Sequence, residues 1–308
     1  MFQKYRPIRA DAHADDGVQP LELDEAPVRG EGRKGRGGFA FAVTCSLSLL
    51  LLSAVVGYRV HKRGGAVEGD AEPHGPYSVF CYGDSLTYGM SPSGGPYPYA
   101  QYLEKELAQL DDSDQTVSPE RPPTEVQHLG IPGWTARNML DHAHDSKAGL
   151  CHFIETTPAL ALVVILAGTN DIGQMTHADK AVGRALVGTL VELHETARGC
   201  AEDAGRVPFR TLAVGIPGSA FQERVPAAAE MAAYVDDGLA AYAEESDGRR
   251  ASYYAPFPFP YREDDGRVAV GDERWAADGL HLTRVGYAAL AKELAPLVKT
   301  LLDGMEQA

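Results

Sequence analysis

Asparagine is nearly absent from this chain, occurring only as Asn138 and Asn170 among 308 residues. Neither opens an Asn-x-Ser/Thr triplet, so the usual acceptor of N-linked sugar is missing, which neither supports nor excludes a secretory route. Cysteine is scarce too, at four residues. Cys45 falls in an apolar span and Cys81 in a strand-like run, leaving Cys151 and Cys200 as the pair open to a disulfide in an oxidising compartment. Positive charge is in deficit: from residue 64 onward 18 basic side chains face 36 acidic ones. Such a surface repels nucleic acid and anionic membrane, and neither is an expected ligand of that part of the chain. No internal repeat is visible, and 44% hydrophobic content is enough to bury one substantial core.

Several chemical signatures are absent or incomplete. There is no Gly-x-Ser-x-Gly elbow, which removes support for the α/β-hydrolase branch of serine esterases. Gly30, Gly32 and Gly35 have dinucleotide-loop spacing, but no strand precedes them and an apolar span follows, so no nucleotide cofactor is expected. His194-Glu195 begins a zinc-protease motif whose second histidine is replaced by Arg198. His142, His144 and His152, with Asp141 and Asp145, read as a solvated helix end in preference to a metal site. No metal is expected.

The chain divides by composition. Residues 1–37 are polar and rich in Gly, Pro, Asp and Arg, as in a disordered tail. Residues 38–60 carry no charge before Arg59 and, at about 1.5 Å per residue, reach about 30 Å, the thickness of a bilayer core. With basic residues at both ends, this span reads as a single-pass anchor, and the membrane is an expected partner through it. The flanking charges are nearly balanced, and the preferred orientation puts the bulk of the protein outside the cell or in a lumen. Residues 61–76 read as a tether, and residues 77–303 as the working domain.

Within that domain, strands are expected at residues 77–81, 124–129, along the apolar run of 160–171, and at 211–216 and 252–256. Helical spacing covers residues 97–110, 135–140, 181–198, 225–245 and 283–302. Alternating strands and helices imply an α/β fold with a parallel sheet covered on both faces. Gly83-Asp84-Ser85 terminates the first strand, which places the Ser85 hydroxyl at the sheet edge where ligands bind in such folds. The apolar run from residue 160 ends in Gly168-Thr169-Asn170-Asp171, which brings the Asn170 amide to the same edge. Asp278 precedes His281 by three residues; its carboxylate can accept one imidazole N–H and leave the other nitrogen free to take a serine proton. Each block alone has an ordinary structural reading as a turn, a helix cap or a surface loop.

Taken in order with Gly130-Ile131-Pro132-Gly133, these blocks resemble the SGNH (GDSL-type) hydrolase family. One departure is His128, which stands where the family most often has Asn, two residues before the first Gly of the second block. The resemblance implies a flavodoxin-like three-layer α/β/α sandwich of about five strands. It implies Ser85 as nucleophile, Asp278 and His281 as the rest of a triad, and Ser85, Gly133 and Asn170 as oxyanion donors. The implied activity is hydrolysis of carboxylic esters through an acyl-enzyme, on a small-molecule, carbohydrate or lipid ester. Acyl transfer, thioester cleavage and a non-catalytic membrane-tethered binding module are the alternatives. The 90–99 loop, Trp134, Phe221 and Trp275 are candidates for lining the substrate side, or for ordinary packing.

Overall fold

The computed structural model describes residues 77–113, 122–246, 252–261 and 272–306. The expected tail, span and tether, at 1–37, 38–60 and 61–76, lie outside the described residues. Among the described residues no helix is long and apolar enough to cross a membrane.

The elements follow in the order β1 (Ser78–Gly83), α1 (Ser85–Tyr88), α2 (Tyr99–Ser113), β2 (Glu125–Gly130), α3 (Ala136–Asp141), α4 (Leu150–Thr156) and β3 (Leu160–Leu166). Then come α5 (Thr169–Ile172), α6 (Lys180–Asp203), β4 (Arg210–Val214), α7 (Ala220–Arg224), α8 (Pro226–Ser246), β5 (Ser252–Ala255) and α9 (Arg284–Glu306). The five strands pair in parallel in the order β2-β1-β3-β4-β5. This is the expected α/β sandwich, with every expected strand and long helix present to within a few residues. The short helices α1, α4, α5 and α7 were not foreseen, because four to seven residues are too few to display a helical period.

β1 and β3 are buried along their whole length, as apolar runs without alternation require. Their side chains alternate between two cores. Val79, Cys81, Leu162, Val164 and Leu166 point toward the layer of α2 and α9, where Leu103, Leu107, Leu290 and Leu294 close the core. Phe80, Tyr82, Val163 and Ile165 face α3, α4, α6 and α8, against Met139, Ile154, Leu190 and Val235. A fully buried leucine contributes about 1.5–3 kcal/mol, so these two clusters account for most of the stabilisation of the sandwich. Cys151 on α4 is disulfide-bonded to Cys200 on α6, fastening the second helical layer, while Cys81 is a buried free thiol.

The register puts Gly83, Gly130 and Leu166 side by side at the carboxyl edge. The chain leaves β1 toward one neighbour, β2, and later returns beyond β1 to build β3. That reversal opens a crevice at the ends of these strands, the usual ligand position in doubly wound sheets. Close approach there needs glycine: a β-carbon on Gly130 would lie 1.9 Å from the backbone nitrogen of Tyr88.

Candidate active site

The loop after β1 turns directly into α1. Asp84 caps that helix, its Oδ1 accepting the Leu86 N–H at 2.9 Å, and Ser85 is the first helical residue. Ser85 is buried, with its hydroxyl 2.9 Å from Nε2 of His281. On the far side of the ring, Nδ1 of His281 lies 2.6 Å from Oδ2 of Asp278. The other carboxylate oxygen, Oδ1, accepts the Leu280 and His281 N–H groups at 3.1 and 3.0 Å. Burial pushes the Asp278 carboxyl up, but the bonds from the His281 ring and backbone outweigh it and hold it below the usual carboxylate value. An ionised Asp278 keeps the proton on Nδ1 and leaves Nε2 as the acceptor facing Ser85.

The short segment carrying Asp278 and His281 is braced from both sides. Ala276 N–H donates to His281 O, Thr283 N–H to Arg274 O, and Trp275 bridges Leu282. Ala220 of α7 donates to Gly279 O at 2.7 Å. Tyr287, on the first turn of α9, donates its hydroxyl to Met90 O at 2.7 Å and so joins the histidine side of the site to the loop beyond Ser85.

The loop after β2 carries Gly133, which is exposed and has φ of +83°, with open space where a side chain would project. Among the described residues neither the Gly133 N–H nor the Ser85 N–H has a hydrogen-bond partner. Asn170, expected at the strand end, is instead the second residue of α5, four residues past the last residue of β3. Its side-chain amide donates to Trp134 O at 2.8 Å, and its Nδ2 is 3.5 Å from Asp84 Oδ2. The fold thus brings Ser85, Asp278, His281, Gly133 and Asn170 to one edge of the sheet. A hydroxyl with an imidazole acceptor, beside those unpartnered N–H groups of Ser85 and Gly133, is equipped to form and stabilise a tetrahedral adduct at a carbonyl carbon.

A model of the GDSL-like lipase/acylhydrolase family matches residues 81–289, about two thirds of the chain. The chain belongs to that family. It is therefore an ester-hydrolysing enzyme. Among solved structures similar to it are the carbohydrate acetylesterase Est24 from Sinorhizobium meliloti (22% identity, TM-score 0.47) and TesA (21%, 0.48), each alignment covering 73% of this chain and 99% of the other. The native aryl esterase of M. smegmatis is 20% identical, with a TM-score of 0.47 and the same coverage. Among curated proteins none matches the chain.

Other expectations for this GDSL-like acylhydrolase change in the structure. Trp275, a candidate for the substrate side, is buried among Phe257, Phe259 and Tyr261, with ring centroids 5.2 to 6.1 Å away. It is a core residue, because the aromatic run at 257–261 folds over it. Trp134 is half-buried against the His142 ring at 4.9 Å. The histidine and acid cluster is split into local pairs, His142 with Asp145 and Arg137 with Asp141. Among the described residues, the one close grouping of metal-capable atoms is His144 with Cys151 and Cys200, whose sulfurs are bonded to each other.

Two residues of the site were not foreseen as such. Asp84 is fully buried, and burial pushes its carboxyl up to about 6, against the opposing pull of the Leu86 N–H and of His281. Asp171 reaches across to the neighbouring loop, its Oδ2 accepting the Ala136 N–H at 2.9 Å, and burial likewise raises it to about 6. Both are adjacent in sequence to residues that were foreseen, Ser85 and Asn170, and that adjacency was the one signal available.

Proposed function

We propose that this enzyme cleaves carboxylic esters by nucleophilic catalysis, with Ser85 as nucleophile, His281 as general base and acid, and Asp278 as the group that orients and stabilises the imidazole. The observation carrying this reading is the continuous line from Ser85 Oγ to His281 Nε2 at 2.9 Å and from His281 Nδ1 to Asp278 Oδ2 at 2.6 Å. In the forward step His281 removes the hydroxyl proton as Ser85 Oγ attacks the ester carbonyl. The resulting oxyanion is met by the Ser85 and Gly133 N–H groups and by the Asn170 amide, each fixed donor contributing about 3 kcal/mol. His281 then passes the proton to the departing alkoxide, which leaves an acyl group on Ser85. Water enters, gives its proton to His281, and the acid is released as Ser85 recovers its proton.

The proposed substrate is an ester of a small to medium acyl group, on a carbohydrate, lipid or other small alcohol. Attachment to a membrane through residues 38–60 is part of the proposal, with the absence of charge before Arg59 as its support.

Reaction of the full chain with a fluorophosphonate, with Ser85→Ala as control, tests the reading. Stoichiometric modification at Ser85 that is absent from the variant is the expected result. A folded protein that remains unmodified would return the site to the status of a binding pocket.

A further inference from the structure

Around Gly133 the loop after β2 has little side-chain packing to hold its shape, although Trp134 leans on the core. Gly133 has no side chain, is exposed, and takes a positive φ with nothing within 4 Å of where a β-carbon would lie. The loop's own turn is closed by Trp134 N–H donating to Ile131 O at 3.2 Å, and three further polar ties join it to the rest of the fold. Ile131 N–H donates to Gly83 O at 2.9 Å, at the end of β1. Trp134 O accepts the Asn170 amide at 2.8 Å. Ala136 N–H donates to Asp171 Oδ2 at 2.9 Å.

The third tie answers a specific need. Ala136 is the first residue of α3, and the N–H groups of a first helical turn lack partners within the helix. The Thr135–Asn138 capping box serves the N–H groups of Asn138 and Thr135 and leaves that of Ala136 to an outside acceptor. Asp171 supplies it from 35 residues away in the chain. The residues that hold Trp134 and Ala136 are neighbours, Asn170 and Asp171, so α5 grips the loop just beyond Gly133 at two points.

We propose that Asp171 is a positioning residue for catalysis: by accepting the Ala136 N–H it holds the Gly133 N–H in place to receive the oxyanion. The inference rests on the assignment of Ser85 and Gly133 given above. Asp171 touches no reacting atom and acts only through the loop. Because the oxyanion exists only beyond the ground state, a displaced Gly133 N–H weakens the transition state while substrate binding stays as it was.

The test compares kcat and KM for an aryl acetate in the full chain, for the native protein, Asp171→Ala, Asp171→Asn and Ser85→Ala. Asparagine retains an oxygen able to accept the Ala136 N–H, whereas alanine has none. The expected result is a fall in kcat of about 10- to 100-fold for Asp171→Ala, with KM within about twofold of native. Most of the loss is recovered in Asp171→Asn, and fluorophosphonate still labels Asp171→Ala to stoichiometry given time. An unchanged kcat in Asp171→Ala overturns the proposal, as does a rise in KM alone. Equal losses in both variants, with labelling abolished, also overturn it, since that pattern marks general disruption of the fold. Native activity in Ser85→Ala would bring down the nucleophile assignment and this proposal with it. A dead Ser85→Ala beside a fully active Asp171→Ala would bring down this proposal alone.

Discussion

Nε2 of His281 faces the hydroxyl of Ser85 at 2.9 Å although 196 residues separate the two in the chain. Between them run four of the five strands, so the contact exists only once the sheet is complete. The ring is oriented by a carboxylate just three residues before it, in a segment so short that Asp278 also accepts the backbone N–H groups of Leu280 and His281.

Replacing Asp278 with Asn tests that orientation. The amide can still accept the two backbone N–H groups, but it presents no carboxylate to Nδ1, and the tautomer that leaves Nε2 free loses its advantage. Turnover of an aryl acetate is expected to fall about 1,000-fold or more, with the unfolding midpoint close to native. A variant within tenfold of native turnover would remove Asp278 from the mechanism.

Asn170→Ala is expected to lower turnover about 100-fold. It removes a proposed oxyanion donor and also the bond to Trp134 O, so near-UV circular dichroism of Trp134 should accompany the kinetics. Unaltered kinetics would exclude Asn170 from the site.

Gly130 and Gly133 should respond differently to alanine. At Gly130 the new methyl would meet the backbone of Tyr88 at 1.9 Å, and backbone cannot step aside as a flexible side chain can. A loss of more than about 3 kcal/mol in a denaturant titration is expected, with Ser85 displaced along with α1. At Gly133 there is space, and only the positive φ is strained, at a cost of about 1–2 kcal/mol. Similar midpoints for the two variants would contradict this difference.

Asp236 offers a pH test away from the site. It accepts the Ile216 N–H at 2.9 Å, and burial raises its carboxyl from 3.8 to about 6. Between those values the folded protein binds more protons than the unfolded chain, so this group's contribution to stability falls as pH rises and is lowest above about pH 6. Asp236→Asn, which keeps the acceptor, is expected to stabilise the protein by about 1–2 kcal/mol at pH 7.5. That gain should shrink through pH 6 and vanish near pH 4. His194, lowered to about 3 by burial, works oppositely: its contribution is full above its unfolded value of 6.5 and is lost as pH falls. For that reason the difference between variant and native protein at each pH is the quantity to follow. A gain that is independent of pH would refute the account.

The bond between Cys151 and Cys200 spans 49 residues of sequence. Replacing both with alanine is expected to cost about 2–4 kcal/mol, mostly by freeing the unfolded chain. Equal denaturant midpoints for the native protein with and without reductant would argue against a stabilising bridge.

Much of this was legible before any coordinates. The strands β1 and β3 are uninterrupted apolar runs, and a run buried on both faces announces itself by composition. Ser85, Asn170, Asp278 and His281 were legible because each belongs to a short block whose chemistry is local to that block. What escaped were relationships across strands. Asp171 meets Ala136 because β2 and β3 flank β1, a fact of strand order that neither residue's neighbours encode. The burial of Trp275 depends on rings at 257–261 folding over it. Elimination among four cysteines named Cys151 and Cys200 as the disulfide pair, but that they meet depends on α4, a seven-residue helix too short to show a period, which brings Cys151 against α6.

The long separation of Ser85 from His281 also imposes a clock on the protein. Chains are made at about 5–20 residues per second, so about 10–40 s pass between the synthesis of the serine and that of its imidazole. Throughout that interval the hydroxyl is an ordinary alcohol with no base beside it. On the proposed mechanism a nascent chain therefore has no activated serine to expose to the acyl donors around the ribosome, and the site is complete only when almost the whole domain has been made.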